Sequence, residues 1–201
     1  MLSLGEVALN RCDAATAGPL FEQSLALFQN VGDQLGAGYA LCGLGRVAHR
    51  EGDDRQAAAH FEAAVTIRRE AGDRRGLVEC VEDLAMLASG TRRSAPLAAR
   101  LFGAASAARG VMGAPLPPAL QGAYDRAITT VHDQLGDDAF AGAWADGLLL
   151  PLERAVAEAL TVVPEFVLAP HGLGRSASPD GEREAADLLD GPPESDLMDM
   201  P

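Results

Sequence analysis

The sequence predicts an all-α protein, a solenoid of helical hairpins followed by a disordered acidic tail. Alanine makes up about a fifth of the 201 residues and aromatic residues only 4%, a composition typical of helices packed through small side chains. One pattern of small and apolar residues also recurs every forty residues in the N-terminal half, and Gly-Asp pairs separate the copies. These observations together favour stacked helix pairs.

The forty-residue repetition runs through three copies, of which the third carries one inserted residue. The matching sets are Leu4, Leu44 and Leu84; Gly5, Gly45 and Ala85; Ala8, Ala48 and Ala88; Ala17, Ala57 and Ala98; Phe21, Phe61 and Phe102; and Ser24, Ala64 and Ala105. Repetition at such an interval is typical of solenoids, in which each unit buries its apolar face against its neighbours. Residues 1–115 are therefore predicted to form about three helix-pair repeats.

Each copy is predicted to contain two helices joined by a turn at glycine. In the second copy, residues 37–50 and 55–71 both show the three-and-four spacing of an amphipathic helix. Gly52 between them can adopt the left-handed conformation that ends a helix. Asp53 or Asp54 can then accept hydrogen bonds from the free N–H groups of the next helix. The recurring Gly-Asp pairs therefore mark successive helix boundaries.

The segment 116–165 is predicted to cap the repeats with further helices. The Pro117–Pro118 pair suits the first turn of a helix, which Gly136 ends. Asp137 is expected to cap a short helix, and Pro151 opens a last one. Residues 166–201 are predicted to be a disordered tail, because glycine, serine, proline and carboxylates dominate there.

The second copy resembles the tetratricopeptide repeat. The residues that carry this resemblance are Leu41, Leu44, Gly45, Ala48, Gly52, Ala57, Phe61 and Ala64. The period of forty and the Gly-Asp joints look like the variant found in large bacterial ATP-binding LuxR-type regulators and in related nucleotidyl cyclases and pathway-specific activators. Residues 99–160 are similar to the segment that closes the repeat region in those proteins.

Charge and motifs exclude several classes of function. The formal net charge of −13 argues against a general affinity for nucleic acid or anionic membranes. No apolar run reaches the 18 or so residues that a membrane span requires. The three cysteines and four histidines show no metal-ligand spacing. The aspartate pairs 53–54 and 137–138 are explained by helix capping, because both follow a glycine at a predicted helix start. We therefore expect a cytoplasmic protein without enzymatic activity, metal or other cofactor.

The resemblance implies a working surface on the concave side, which the first helix of each repeat lines. The residues at these positions are Glu6 and Asn10 in the first unit, Tyr39, Arg46, His49 and Arg50 in the second, and Glu79, Glu82 and Met86 in the third. Among them, Tyr39, Arg46 and Arg50 suit an acidic peptide, because guanidinium groups pair well with carboxylates.

The resulting hypothesis is a helical-repeat interaction or sensor module of a bacterial regulatory protein, which binds a protein or an effector. Two alternatives keep the fold: a regulatory fragment of a nucleotidyl cyclase or ATPase, and an inactive gene remnant. A homodimer is a further possibility, because Leu2, Leu4 and Val7 form an apolar face that no preceding helix covers.

The repeat assignment predicts what happens when a small side chain shared by the three copies is replaced by a larger one. Ala57→Leu should lower the melting temperature, because overpacking a helix crossing costs about 1–3 kcal/mol. Thermal unfolding followed by circular dichroism checks this, and an unchanged melting temperature contradicts the assignment.

Overall fold

The computed structural model describes residues 1–167, which form helices joined by short connections and contain no strand. The helices are α1 (Leu2–Asn10), α2 (Ala14–Val31), α3 (Gln34–Glu51), α4 (Asp54–Glu70), α5 (Arg74–Ala88), α6 (Ala95–Met112), α7 (Pro118–Leu135), α8 (Asp137–Leu148), α9 (Leu152–Ala159) and α10 (Val163–Val167), with a 3₁₀ turn at Leu160–Val162. The all-α prediction is confirmed for this part of the chain. The predicted tail, 166–201, lies outside the described residues from position 168 onward.

The first six helices form three consecutive pairs that stack on one another. Within each pair, α1 packs on α2, α3 on α4, and α5 on α6. Between pairs, α2 contacts α3 and α4 contacts α5. Each pair therefore covers the apolar side of the next, as the forty-residue pattern predicts.

Gly-Asp turns connect α2 to α3, α3 to α4 and α4 to α5. Gly52 has a φ of 84° and ends α3 in the left-handed conformation, and the carboxylate of Asp53 accepts a hydrogen bond of 2.9 Å from the N–H of Gln56. Asp53, not Asp54, is thus the capping residue. The same arrangement occurs at Gly32 with Asp33 and at Gly72 with Asp73, where φ is 73° and 66°.

Cys12 takes the place of glycine in the first of these turns. Its φ is 63°, and it is the one residue other than glycine with a positive φ in the part of the chain described here. Asp13 follows it and caps α2 by accepting a 3.0 Å hydrogen bond from the N–H of Thr16. The turns at positions 12, 32, 52 and 72 thus share one conformation, although the residue at the first is strained.

Where the helices cross, an aromatic ring of one helix packs against a glycine of the other. Phe21 and Phe61, which are equivalent in the repeat, are each 1% exposed. A Cβ atom at Gly43 would overlap the ring of Phe21, and one at Gly45 would overlap that of Phe61. The small residues therefore provide the space that the rings fill. Ala57, at which leucine is predicted to destabilise the fold, is 0% exposed.

The apolar core is nearly continuous, except at its N-terminal end. One cluster extends from Leu41 to Val163, and a smaller one joins α1 and α2 to α3. Leu44 and Leu84 are 8% and 0% exposed, whereas the equivalent Leu4 is 61% exposed. The outer side of α1 is thus uncovered among the described residues, as its position predicts. Dimerisation through this side stays a prediction.

The closing helices pack on several repeat helices. At the crossing of α6 and α8, a Cβ atom at Gly103 would overlap the carbonyl of Trp144. The Phe102 and Tyr124 rings meet edge to face, with their centres 4.9 Å apart. Further along, α9 packs on α5 and α6, and α10 packs on α4. The segment therefore covers the side of two units as well as the end of the stack.

The prediction that Asp137 caps the N-terminus of α8 is wrong. Gly136, with φ of 77°, occupies the cap position, and no side chain caps this end. Asp137 is instead the first residue of α8, and its carboxylate lies 3.0 Å from Nε2 of His132. Asp137 and Asp138 lie in the first helical turn, where negative charge is favourable beside the helix dipole.

The left-handed turns predict opposite effects for two substitutions. Cys12→Gly should raise the free energy of unfolding by about 1 kcal/mol, because it removes the strain of a side chain at positive φ. Gly32→Ala should lower it by a similar amount, since the space around Gly32 is open and only the backbone is affected. Urea denaturation of both variants checks the pair. Destabilisation by Cys12→Gly would contradict the assigned turn.

Candidate functional site

The residues predicted to form the working surface lie on the first helices of the three pairs. Their exposure differs. Arg50, Glu6 and Asn10 are exposed, Tyr39, Arg46, His49, Glu79 and Met86 are half-buried, and Glu82 is buried. We call the surface formed by α1, α3 and α5 the first-helix face.

Three carboxylates on α5 each accept a hydrogen bond from an arginine on a different helix. The pairs are Asp83 with Arg46 of α3, Glu79 with Arg68 of α4, and Glu82 with Arg109 of α6. Most of α5 is inaccessible to solvent, since eleven of its fifteen residues are buried. The three ion pairs therefore join α5 to all three of its neighbours within the repeats.

Glu82 and Arg109 form the best-aligned of these ion pairs. Two parallel hydrogen bonds of 2.5 and 2.6 Å link the guanidinium group to both carboxylate oxygens. The side chains are only 6% and 8% exposed, and Arg109 also donates to the carbonyl of Ala114. Burial raises the pKa of Glu82, while the guanidinium opposes this shift. The pair is consequently sensitive to removal of either partner.

Asp83 and Arg46 form the second ion pair, which crosses from α5 to α3. The Nε–H of Arg46 donates to Asp83 over 2.7 Å. The Asp83 side chain is 5% exposed and that of Arg46 is 24% exposed. Burial raises the pKa of Asp83, and the charge of Arg46 opposes this effect. Arg46 is thus partly accessible but already neutralises a buried carboxylate.

Arg68 is fully buried between α3 and α5. Its guanidinium lies 4.3 Å from the centre of the Tyr39 ring, and its Nη1 donates to Glu79 over 3.0 Å. Gly38 and Gly76 leave room for this side chain, since a Cβ atom at Gly76 would overlap Nη1. Its Nε and Nη2 atoms have no hydrogen-bond partner among the residues described. Tyr39 therefore serves partly to cover a buried cation.

Two further residues of the predicted surface also have partners within the chain. Arg50 donates to the carbonyl of Leu9 at the end of α1, which connects the second repeat to the first. His49 lies 2.6 Å from the carboxylate of Asp54. Of the predicted grouping, Arg50 is the exposed cation. Binding of an acidic segment by Tyr39, Arg46 and Arg50 stays a prediction.

Sequence reasoning overlooked Arg68, Asp83 and Arg109. The repeat itself places Arg68 and Arg109 at the position that Phe28 holds in the first unit. A Cβ atom at Gly36 would overlap the Phe28 ring, just as one at Gly76 would overlap Arg68. Arginine at a position that holds phenylalanine in the first unit was the signal that could have indicated buried ion pairs.

The described helices show neither a metal-binding cluster nor a membrane span. No group of three or more histidine, cysteine, aspartate or glutamate side chains there is arranged to hold a metal ion. None of these helices is long and apolar enough to cross a bilayer. Cys42 on α3 and Cys80 on α5 belong to different helix pairs, and their side chains nevertheless lie side by side.

A family model provides independent support for the repeat assignment. Residues 1–70 match the model described as tetratricopeptide repeat, and this stretch spans α1 to α4. These residues form a tetratricopeptide repeat region. The forty-residue pattern and the stacking of α5 and α6 continue it structurally beyond the match. No curated protein and no solved structure matches the chain.

The Glu82–Arg109 pair predicts a large loss of stability when one charge is left alone. Glu82→Leu should lower the free energy of unfolding by about 3–5 kcal/mol, because Arg109 remains buried without a counter-charge. The double variant Glu82→Leu with Arg109→Met should recover most of this loss. Urea denaturation measures both.

The control is Glu153→Leu, which breaks the exposed ion pair with Arg74. It should destabilise the protein far less than Glu82→Leu, because water solvates both charges of this pair. Equal effects of Glu82→Leu and Glu153→Leu would show that burial of the α5 pair contributes nothing.

Proposed function

We propose that this protein is a non-enzymatic interaction module of a bacterial regulatory protein and that it binds a protein or peptide on its first-helix face. The tetratricopeptide repeat region supports this, because such helical repeats generally serve as scaffolds for protein–protein interaction. The module acts in the cytoplasm and needs no cofactor.

Equivalent positions of the repeat carry this proposal. Glu6, Arg46 and Met86 occupy the same position in three successive units, and Asn10 and Arg50 share a second position. Residues that repeat in this way lie in columns along stacked units. A partner laid across the first-helix face would thus meet charged and apolar groups in a fixed order.

The chemistry of these columns favours an acidic segment with an apolar side chain. Arg50 is exposed and supplies a guanidinium for a carboxylate. Met86 and Tyr39 are half-buried and present thioether and aromatic surface, which interfaces commonly use. Arg46 contributes less net charge, because Asp83 already pairs with it. Arg50 is therefore the residue whose charge matters most.

The closing helices support the regulatory assignment. Residues 99–160, which resemble the end of the repeat region in LuxR-type regulators, form most of α6 together with α7, α8, α9 and the first residue of the 3₁₀ turn. Among the first helices, α5 packs against α9, whereas the main packing partners of α1 and α3 are repeat helices.

The test begins with a photo-cross-linking amino acid at Met86 in the full chain, expressed in its own cells. A second chain carries the same group at exposed Gln29 on α2. A protein that is cross-linked from position 86 but not from position 29 identifies the partner. Equal labelling from both positions would contradict binding at the first-helix face.

The affinity of that partner is then measured with two matched charge reversals. Arg50→Glu should weaken binding about tenfold or more, because one charged contact in an interface is commonly worth over 1 kcal/mol. Arg69→Glu makes the same change at an exposed arginine of α4 and should leave the affinity unchanged. Melting temperatures confirm that both variants fold. Unaltered binding by Arg50→Glu would contradict the acidic-segment assignment.

A further inference from the structure

Two cysteines from successive helix pairs meet in the core. Cys42 lies on α3 and Cys80 on α5, and their sulfur atoms are 3.6 Å apart. Their side chains are 2% and 0% exposed, and both are free thiols. They lie 38 positions apart in sequence, two fewer than one repeat period, so the forty-residue alignment does not pair them.

The separation of the two sulfur atoms is small enough for a covalent bond to form with little movement. A disulfide needs about 2.05 Å between sulfurs, so the atoms must approach by roughly 1.5 Å. The two thiols occupy the α3–α5 seam, where the Arg46–Asp83 pair lies about one helical turn further along. That ion pair holds the two helices in contact beside the thiols.

The groups around the two thiols shift the pKa of Cys42 downward and that of Cys80 upward. The guanidinium groups of Arg46 and Arg68 both act on Cys42, and Arg68 is 0% exposed with two buried nitrogen atoms that lack a partner in the described structure. The hydrogen bond with Cys80 lowers the pKa of Cys42 despite its burial. The same hydrogen bond, together with burial, raises the pKa of Cys80. Asp83, also close by, opposes the effect of Arg68 on both thiols.

We propose that Cys42 and Cys80 form a reversible redox site that closes to a disulfide between successive repeats when the protein meets a peroxide. The thiolate of Cys42 attacks one peroxide oxygen, the O–O bond breaks, and hydroxide leaves and takes up a proton as water. Cys42 is then a sulfenic acid. The sulfur of Cys80 attacks the Cys42 sulfur, the S–O bond breaks, and the hydroxyl group leaves as water with the proton of Cys80.

This sequence balances as two thiols and one hydrogen peroxide giving one disulfide and two waters. The two cysteines lose two electrons, and the peroxide gains them. Because both thiols are buried, the peroxide reaches them only when the α3–α5 seam opens transiently. The disulfide then fixes α3 to α5 and restricts that opening. A dithiol reductant reverses the reaction by thiol–disulfide exchange.

The experiment uses the full chain with Cys12→Gly, which removes the exposed third thiol. Folded protein is exposed to hydrogen peroxide, and its thiols are counted in denaturant by a colorimetric reagent. Both thiols should disappear together in a monomeric chain whose mass is lower by two hydrogens. The melting temperature should rise by about 5–10 °C, and dithiothreitol should restore the original value.

Single variants test the order of the two steps. In a Cys80→Ala chain, the Cys42 sulfenic acid has no partner and should be trapped by dimedone, whereas a Cys42→Ala chain should give little trapping. The folded double-cysteine chain remains the deciding sample even if a single variant unfolds. Thiols that persist in the folded chain, that pair only after unfolding, or that link two chains would each overturn the proposal.

Discussion

Three carboxylates on one nearly buried helix each require a counter-charge, and this requirement ties α5 to its neighbours. Glu79, Glu82 and Asp83 lie within about one turn of the same helix. Arginines from α4, α6 and α3, respectively, pair with them. A buried charge without such a partner is strongly unfavourable, whereas apolar contacts alone tolerate small shifts in register. The Arg46–Asp83 and Arg68–Glu79 pairs therefore fix how the second and third repeats are placed against each other, and the Glu82–Arg109 pair fixes α5 against α6 within the third.

Close helix approach makes these ion pairs possible. Gly76 allows Arg68 to pass between α3 and α5, and the same position of the first repeat holds Gly36 against Phe28. The space beside this glycine thus holds an aromatic ring in the first unit and a guanidinium group in the second. Replacing an aromatic ring by a buried cation requires acids on the following helix, and α5 supplies them. The departure from the repeat pattern at Arg68 is explained by Glu79.

The fold was predictable because its determinants are local and periodic. The left-handed glycines, the capping aspartates and the forty-residue spacing of Phe21 and Phe61 depend on positions close in sequence or one repeat apart. The ion-pair partners were not predictable in this way, since Arg46 and Asp83 lie 37 positions apart and Glu82 and Arg109 lie 27 apart. Such pairs depend on the rotation of each helix about its axis, which the repeat period leaves open. For the same reason the repeat pattern indicated that these residues lie on the first helices of the pairs but did not indicate their partners within the chain.

Native-state hydrogen exchange tests the central role of α5 most directly. If the buried ion pairs and the apolar stack unite the repeats, the amides of Arg74–Ala88 should exchange only through global unfolding, while those of α1, whose outer side is uncovered, should exchange first. Exchange of α5 amides at free energies well below that of global unfolding, or earlier than those of α1, would contradict the account.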